Sequence, residues 1–334
     1  MQHLCLAASR LRIPHDASKI ALASMTNQAD QRWERKRPPA VVNVFESQRL
    51  APHKGVIITG DDFGLSPEIN AGIIRAHREG VLTGASLMVA APGRDEAADL
   101  ARQNPALDVG LHLVVCRGMS VTPARKLEGI VGADGRFPQN PVFAGMSYFF
   151  SRRVHGLLRD ELRAQIELHL KLVGSLNHVD GHLNFHVHPI IAAMLVDLAV
   201  EYGIKCIRLP KERLFDTLRL SRDHVPRKLL ENLIFRTLSR RMRTLMNARG
   251  IFTSDWLFGL HQSGRMTEQY VLGVVQKLRP GLTEIYFHPA ADMGATPPSI
   301  EAQHEVRVLT SARMRAALQT SGAHLTSFAA LARR

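Results

Sequence analysis

Aromatic side chains make up only 6% of this 334-residue sequence, although 45% of it is hydrophobic. That content suffices for one large globular domain, or two small ones, with a substantial core. Cysteine is scarcer still. Cys5, Cys116 and Cys206 are scattered, which excludes a disulfide framework or a zinc-finger spacing and leaves reduced, structural residues. Long apolar runs are missing too, so no membrane-spanning helix is expected. The N-terminal MQHLCLAASRLRIPH lacks the apolar stretch of a secretory signal, and the expected location is cytoplasmic. Acidic residues are in deficit: 43 Lys and Arg meet 30 Asp and Glu, a formal charge of +13. Polyanions, anionic membrane surfaces and acidic substrates all attract such a chain. The surplus is uneven, with eleven Lys or Arg against four Asp or Glu between residues 211 and 249.

Residues 1–53 have mixed polarity and no sustained period, as in QADQRWERKRPP. A disordered extension is expected there, unless the start site lies further downstream. From residue 54 to 334 short apolar runs alternate with helical patterns. Strand-like runs fall at 55–59, 84–91, 108–115, 176–180, 204–209, 255–260, 282–288 and 323–328, with helical patterns at 67–78, 93–103, 158–174, 189–202, 226–249, 267–278 and 305–321. Several runs are apolar throughout, as parallel strands buried on both faces are. Such alternation predicts an α/β fold, a single (β/α) barrel domain with a basic helical insertion at about 211–250. The competitor is a doubly wound open sheet, but no G-x-G-x-x-G follows the first strand. Either fold would place an active site at the carboxyl ends of the strands.

Polar groups gather at those ends. In VIITGDDFGLSPEINAGI an apolar run leads directly into Asp61 and Asp62, and a marked helix start follows: Ser66 as N-cap, Pro67, Glu68, with Gly80 as the stop. Further strand ends deliver His112, His182, Arg208 and His288, and His178, His186 and His188 crowd around His182. Singly, a strand-end histidine is more often a hydrogen-bonded structural residue than a ligand. Together, one carboxylate and two imidazoles with open positions describe a catalytic metal site, and the second acid of the pair can then act as a base. An Arg beside that base would keep it ionised, and a His on a distant strand could serve as the acid. The Asp-Phe-Gly triplet is no kinase signature, because neither a Gly-rich loop nor a His-Arg-Asp loop accompanies it. Cys116 lacks a base placed to activate it as a nucleophile.

These residues resemble a known family. ITGDDFGLSPEINAGIIRAHREGVLTGASLMV, VGLHL, HVDGHLNFHVHP, GIKCIRLP and EIYFHPA occur in order over about 55–310 and resemble the YdjC-like (chitooligosaccharide deacetylase-type) carbohydrate deacetylases. The resemblance implies a distorted (β/α) TIM-like barrel of the glycoside hydrolase/deacetylase type. It also implies a hydrolase that removes N-acetyl groups from amino sugars with one divalent metal ion, Mg2+ or Zn2+. Carried over, Asp61 is the base, Asp62, His112 and His182 are the metal ligands, Asp180 supports a ligand, and Arg208 and His288 complete the catalytic set. The chain departs from the family pattern at Val114-Val115-Cys116 and at Ala290, and its wording is closer to the hopanoid-biosynthesis branch. That branch implies an N-acetylglucosaminyl hopanoid glycolipid as substrate, with soluble chitooligosaccharides as the alternative. A different class of reading is a non-enzymatic lipid- or polyanion-binding barrel. A glycosidase fits less well, since adjacent acids need not span a glycosidic bond.

The basic segment bears on the partner. Leu229, Leu230, Leu233, Ile234, Leu238, Met242, Leu245 and Met246 form an expected apolar stripe, with Arg227, Lys228, Arg236, Arg240, Arg241 and Arg243 largely off it. Two readings stand: a helix that touches the inner-membrane surface, or an ordinary barrel helix with a solvated basic face. The expected partner is an amino-sugar or glycolipid substrate and not a nucleic acid; oligomeric state is left open.

Overall fold

The computed structural model describes residues 53–294 and 298–332. The expected disordered extension, His53 apart, lies outside the described residues. Eight parallel strands form one curled sheet. In chain order they are β1 (Lys54–Phe63), β2 (Gly84–Leu87), β3 (Asp108–Leu113), β4 (His178–Gly181), β5 (Cys206–Ile207), β6 (Trp256–Phe258), β7 (Gly281–Phe287) and β8 (Ala323–Leu325). The helices are α1 (Pro67–Arg78), α2 (Arg94–Gln103), α3 (Pro141–Phe150), α4 (His155–Val173), α5 (Pro189–Glu201), α6 (Leu214–Leu220), α7 (Val225–Asn247), α8 (Glu268–Gln276), α9 (Ile300–Thr310), α10 (Ala312–Thr320) and α11 (Phe328–Ala332). None is long and apolar enough to cross a membrane.

β1 is the hub. One edge pairs with β7 from Lys54 to Gly60. The other edge is shared, with Lys54–Val56 on β8 and Thr59–Phe63 on β2. From β2 the order runs through β3 and β4 to β5, and from β7 to β6. The seam between β5 and β6 is carried by Phe252: its N–H donates to Lys205 O at 3.0 Å and its carbonyl accepts from Ile207 N at 3.1 Å. Asp255 N then donates to Leu282 O at 2.9 Å, which joins the same segment to β7. The barrel is therefore distorted: its ring turns on one irregular segment, and one strand edge is split between two partners.

The wholly apolar runs behave as expected. β2, β3 and β4 are buried along their whole length, and β1 is buried after Lys54, because helices cover the outside while the barrel interior fills the other face. Ser66 caps α1 by accepting from Ile69 N at 3.4 Å, with Pro67 opening the helix. Gly80 follows α1, though its reason is space: a Cβ there would stand 2.4 Å from Leu309 O.

Two helical expectations change. The pattern at 305–321 is two helices, broken where Ser311 ends α9 and caps α10 by accepting from Met314 N. The stripe on α7 is not one face. Met242 and Met246 are buried and Leu238 and Leu245 pack on the core, while Leu229, Leu230, Leu233 and Ile234 are exposed. At about 100° per residue, positions 229 and 246 point to different sides of a helix, so the chain buries one set and leaves the other in solvent.

Candidate active site

The strand that delivers the two acids does not stay regular. The pairing of β1 with β2 shifts between Gly60 and Phe63, and Asp62 adopts φ 63°. This left-handed conformation is uncommon for a non-glycine residue, and Asp is among those that tolerate it. The turn is tied down behind it: Leu65 N donates to Asp62 O at 3.0 Å, and Gly64 N donates to Asn70 Oδ1 at 2.7 Å. Asn70 in turn donates to Gly93 O and Glu96 Oε2. The bulge sends the neighbouring carboxylates to different partners, which simple strand alternation would not fix.

Asp61 turns inward. Arg208 grips it with both ends of its guanidinium, Nη1 to Oδ2 at 2.6 Å and Nη2 to Oδ1 at 2.9 Å, and Ser86 Oγ donates to Oδ1 at 3.3 Å. Arg208 is the largest fully buried side chain among the described residues. Its remaining donors reach Glu284 Oε1 at 2.7 Å and Thr59 Oγ1 at 2.9 Å, Asp180 Oδ2 forms an ion pair with it at 2.8 Å, and the guanidinium lies 4.5 Å from the centre of the Tyr286 ring. Burial alone would favour a neutral Arg208, but Asp180, Asp61 and Glu284 hold it firmly protonated. A buried cation is tolerable only with such pairing.

Asp62 turns to the histidines. Its Oδ1 lies 3.0 Å from His182 Nδ1 and 3.2 Å from His112 Nε2. Burial would raise its carboxyl, yet hydrogen bonds from His112 and His182 and the charges of His112 and His288 hold it well below the usual range. The other ring nitrogen of His112 donates to Asp180 Oδ1 at 2.7 Å. Desolvation would lower His112, but Asp180, helped by Asp62 and Asp61, raises it to about 10. Asp180, which burial would raise, is held low by Arg208 and His112.

The residues fit a cation. Asp62, His112 and His182 each aim one donor atom at a common point, these atoms lying within 4.8 Å of one another. Three buried carboxyls, Asp61, Asp180 and Glu284, meet a single guanidinium, and Asp62 meets only the imidazoles of His112 and His182, so carboxyls outnumber the fixed cation. The Asp180–His112 bond fixes the imidazole so that Nε2 faces that point, an outer partner of the kind that orients metal-binding histidines. A divalent ion suits this donor set, and two imidazoles with a carboxylate are compatible with zinc.

The model of the YdjC-like protein family matches residues 55–320. This chain belongs to the YdjC-like family. Among its relatives, a carbohydrate deacetylase of Brevibacillus brevis is 37% identical over 155 residues, 46% of this chain and 59% of that protein. One from Vibrio cholerae is 36% identical over 45% of this chain and 56% of its own length. The match thus spans under two thirds of these bacterial relatives. The human carbohydrate deacetylase is 29% identical over 82% of this chain and 90% of that protein. Among solved structures, a provisionally named cellobiose-phosphate cleavage protein of Enterococcus faecalis superposes with a TM-score of 0.65 at 23% identity, covering 84% of this chain and 99% of that one, which shows a shared fold.

Within this YdjC-like chain the structure gathers every expected site residue: Asp61, Asp62, His112, His182 and Arg208 in one buried network, and His288 at its edge. The charge of His288 acts on Asp62, its ring lies 5.8 Å from that of Tyr286, and its backbone N–H donates to Glu305 Oε2 at 2.5 Å. The three neighbours of His182 in the His-rich segment are structural. His186 Nε2 donates to Arg208 O at 2.9 Å, and His188 Nε2 donates to Gly145 O at 3.0 Å. His178 packs 4.3 Å from the Phe328 ring. Cys116 is buried, donates to Pro138 O, and its thiol is raised by desolvation, the opposite of an activated nucleophile.

Sequence reasoning missed Thr59, Ser86, Glu284, Tyr286 and Glu305. Glu284, Tyr286 and His288 alternate at period two, the signal that could have placed them on one face. The departures from the family pattern are buried: Val114, Val115, Cys116 and Ala290 all sit in the core. Their side chains therefore say little about the substrate.

Proposed function

We propose that this YdjC-like chain is a carbohydrate deacetylase that hydrolyses the N-acetyl group of an amino sugar. The observation that carries the reading is the buried, doubly bonded Asp61–Arg208 pair set beside the Asp62, His112 and His182 cluster. The names of the bacterial and human relatives support the reaction class. A divalent ion held by Asp62, His112 and His182 would supply a Lewis acid for the acetyl carbonyl and lower the pKa of a water.

The remaining work falls to the chain. Asp61 accepts a proton from the attacking water at Oδ2, which has a second lone pair beyond the one bonded to Arg208, whereas Oδ1 accepts from both Arg208 and Ser86. Arg208 fixes the angle of that carboxylate with its two hydrogen bonds. A carbon–oxygen bond forms, the carbon–nitrogen bond breaks, and His288 donates a proton to the departing amine nitrogen. Acetate and the free amino sugar result.

The finer reading is an N-acetylglucosaminyl hopanoid glycolipid as substrate. It rests on the sequence wording and on the exposed apolar helices near the site, described below. The test is acetate release from an N-acetylglucosaminyl hopanoid beside chitobiose, with and without chelator, and metal analysis of the purified protein for Mg2+ or Zn2+. Chelator-sensitive release from the glycolipid alone is the expected outcome. Release from chitobiose alone would move the substrate to soluble oligosaccharides, and release from neither would overturn the deacetylase reading.

A further inference from the structure

A cavity of about 710 Å³ lies between α6 and α7, backed by Trp256 and Leu260. Pro210, two residues beyond Arg208 at the end of β5, is one of its lining residues. Its walls divide by chemistry. Phe215, Leu218, Phe235 and Trp256 line the apolar part. Lys211, Arg213, Arg236, Arg240 and Arg243 supply five cations.

Little within the protein answers that charge. Glu212 is the one acid in the lining, and it points inward: it accepts from Gly259 N and His261 N at 3.1 Å each and from Tyr270 Oη at 3.2 Å. Arg213 pairs with Asp216 at 3.5 Å. Lys211, Arg236, Arg240 and Arg243 have no carboxylate partner among the described residues, and the buried Nε of Arg243 has no hydrogen-bond acceptor. Partial burial and the charges of Arg243, Arg213, Arg236 and Arg240 lower the Lys211 ammonium, a sign of how closely these groups crowd. Cations held together without counter-charge await an external anion.

The surroundings say what kind of anion. On the exposed side of α7, Leu229, Leu230, Leu233 and Ile234 stand 45–66% exposed. On α3, Val142, Phe143, Met146, Phe149 and Phe150 stand 47–72% exposed. The two helices flank the same region. His188, at the start of α5, donates to Gly145 O of α3 and lies near Phe149. The same imidazole feels the charge of Arg241 on α7. Between them runs the strained segment from His182, with Leu183 exposed and in the left-handed region. Two exposed apolar helix faces beside a basic cavity match a bilayer surface: apolar side chains for the acyl region and cations for phosphate.

We propose that the cavity between α6 and α7 binds the phosphate headgroup of an acidic phospholipid, with the apolar faces of α3 and α7 seated in the bilayer. The mouth of the catalytic barrel then faces the membrane. This binding stands independently of the reaction assigned to the site, because it is read without turnover.

The test is co-sedimentation of the full chain with vesicles. One set contains phosphatidylcholine with phosphatidylglycerol, the other phosphatidylcholine alone. Strong binding to the acidic set only is expected. Arg236→Gln with Arg240→Gln and Arg243→Gln should weaken it at least tenfold. A control of equal charge change on α2, α9 and α10, Arg102→Gln with Arg307→Gln and Arg315→Gln, should weaken it less than threefold. Leu230→Ser with Leu233→Ser and Ile234→Ser should weaken binding at unchanged charge. Equal losses in the cavity and control variants would reduce the effect to net charge and overturn the cavity. Unaltered binding by the serine variant would overturn the apolar seat. Binding of free glycerol phosphate without any vesicle binding would show a soluble phosphate ligand and overturn the bilayer.

Discussion

Asp61 and Asp62 are chemically identical neighbours that the backbone assigns to different tasks. Asp61 meets Arg208 and Ser86, while Asp62 meets His112 and His182. A single pair of variants separates the tasks. Asp61→Asn keeps the shape and the ligand cluster but cannot accept a proton, so metal content should persist while turnover falls roughly a hundredfold to ten-thousandfold. Asp180→Asn should do the reverse at first order: metal affinity should drop about 10- to 100-fold, because the outer partner that orients His112 is weakened. Metal titration and acetate release, measured on both proteins, distinguish them. Equal effects of the two changes on metal content would refute the division. The strand ends made these residues legible before any fold was known, since polar groups closing apolar runs stand out. Thr59 and Ser86 were not legible, because short polar residues inside a strand look like ordinary neighbours until the barrel brings Thr59 to Arg208 and Ser86 to Asp61.

Elements were readable where a period was strong and silent where it was not. The apolar strands, α1 with its Ser66 cap and the long α4 follow from pattern and capping. Helix α3 reads PVFAGMSYFF, apolar on nearly every side, and so offers no period to detect; the structure leaves much of it in solvent. The loop after β7 shows a tertiary constraint no period encodes. Glu68 O of α1 accepts from Ala291 N at 2.8 Å, and a Cβ on Gly72 would lie 2.6 Å from Ala290 Cα. The glycine lets α1 rest directly on the segment that follows His288. Gly72→Ala forces backbone apart and should cost about 1–3 kcal/mol by overpacking. Urea unfolding should show a lower midpoint with the slope unchanged. A midpoint equal to that of the parent would mean the loop yields freely, and His288 would then be less firmly placed than this contact implies.

At the scale of the whole molecule, buried histidines set the response to acid. Desolvation lowers His169 to about 3 and His186 to about 4, from an ordinary value of 6.5. Below pH 6.5 the unfolded chain takes up protons on both, and the folded chain does not until pH 4 and then 3 are approached. The unfolded state binds more protons in that window, so stability rises with pH and is lost as pH falls. His112 works in the opposite sense in the metal-free protein. Its folded value near 10 means that its contribution is complete below 6.5 and is lost as pH rises toward 10. The metal-free protein should therefore be most stable near pH 6.5, where the two limbs meet. Each fully buried histidine contributes a slope of up to about 1.4 kcal/mol per pH unit. Replacing His169 with Leu should flatten the acid limb between pH 6.5 and 4.5 by about one proton and leave the alkaline limb alone. Tm measured across that range in parent and variant reads the difference directly. An acid limb of the same steepness in both proteins would mean that His169 takes up its proton without unfolding, with water reaching its ring in the folded state.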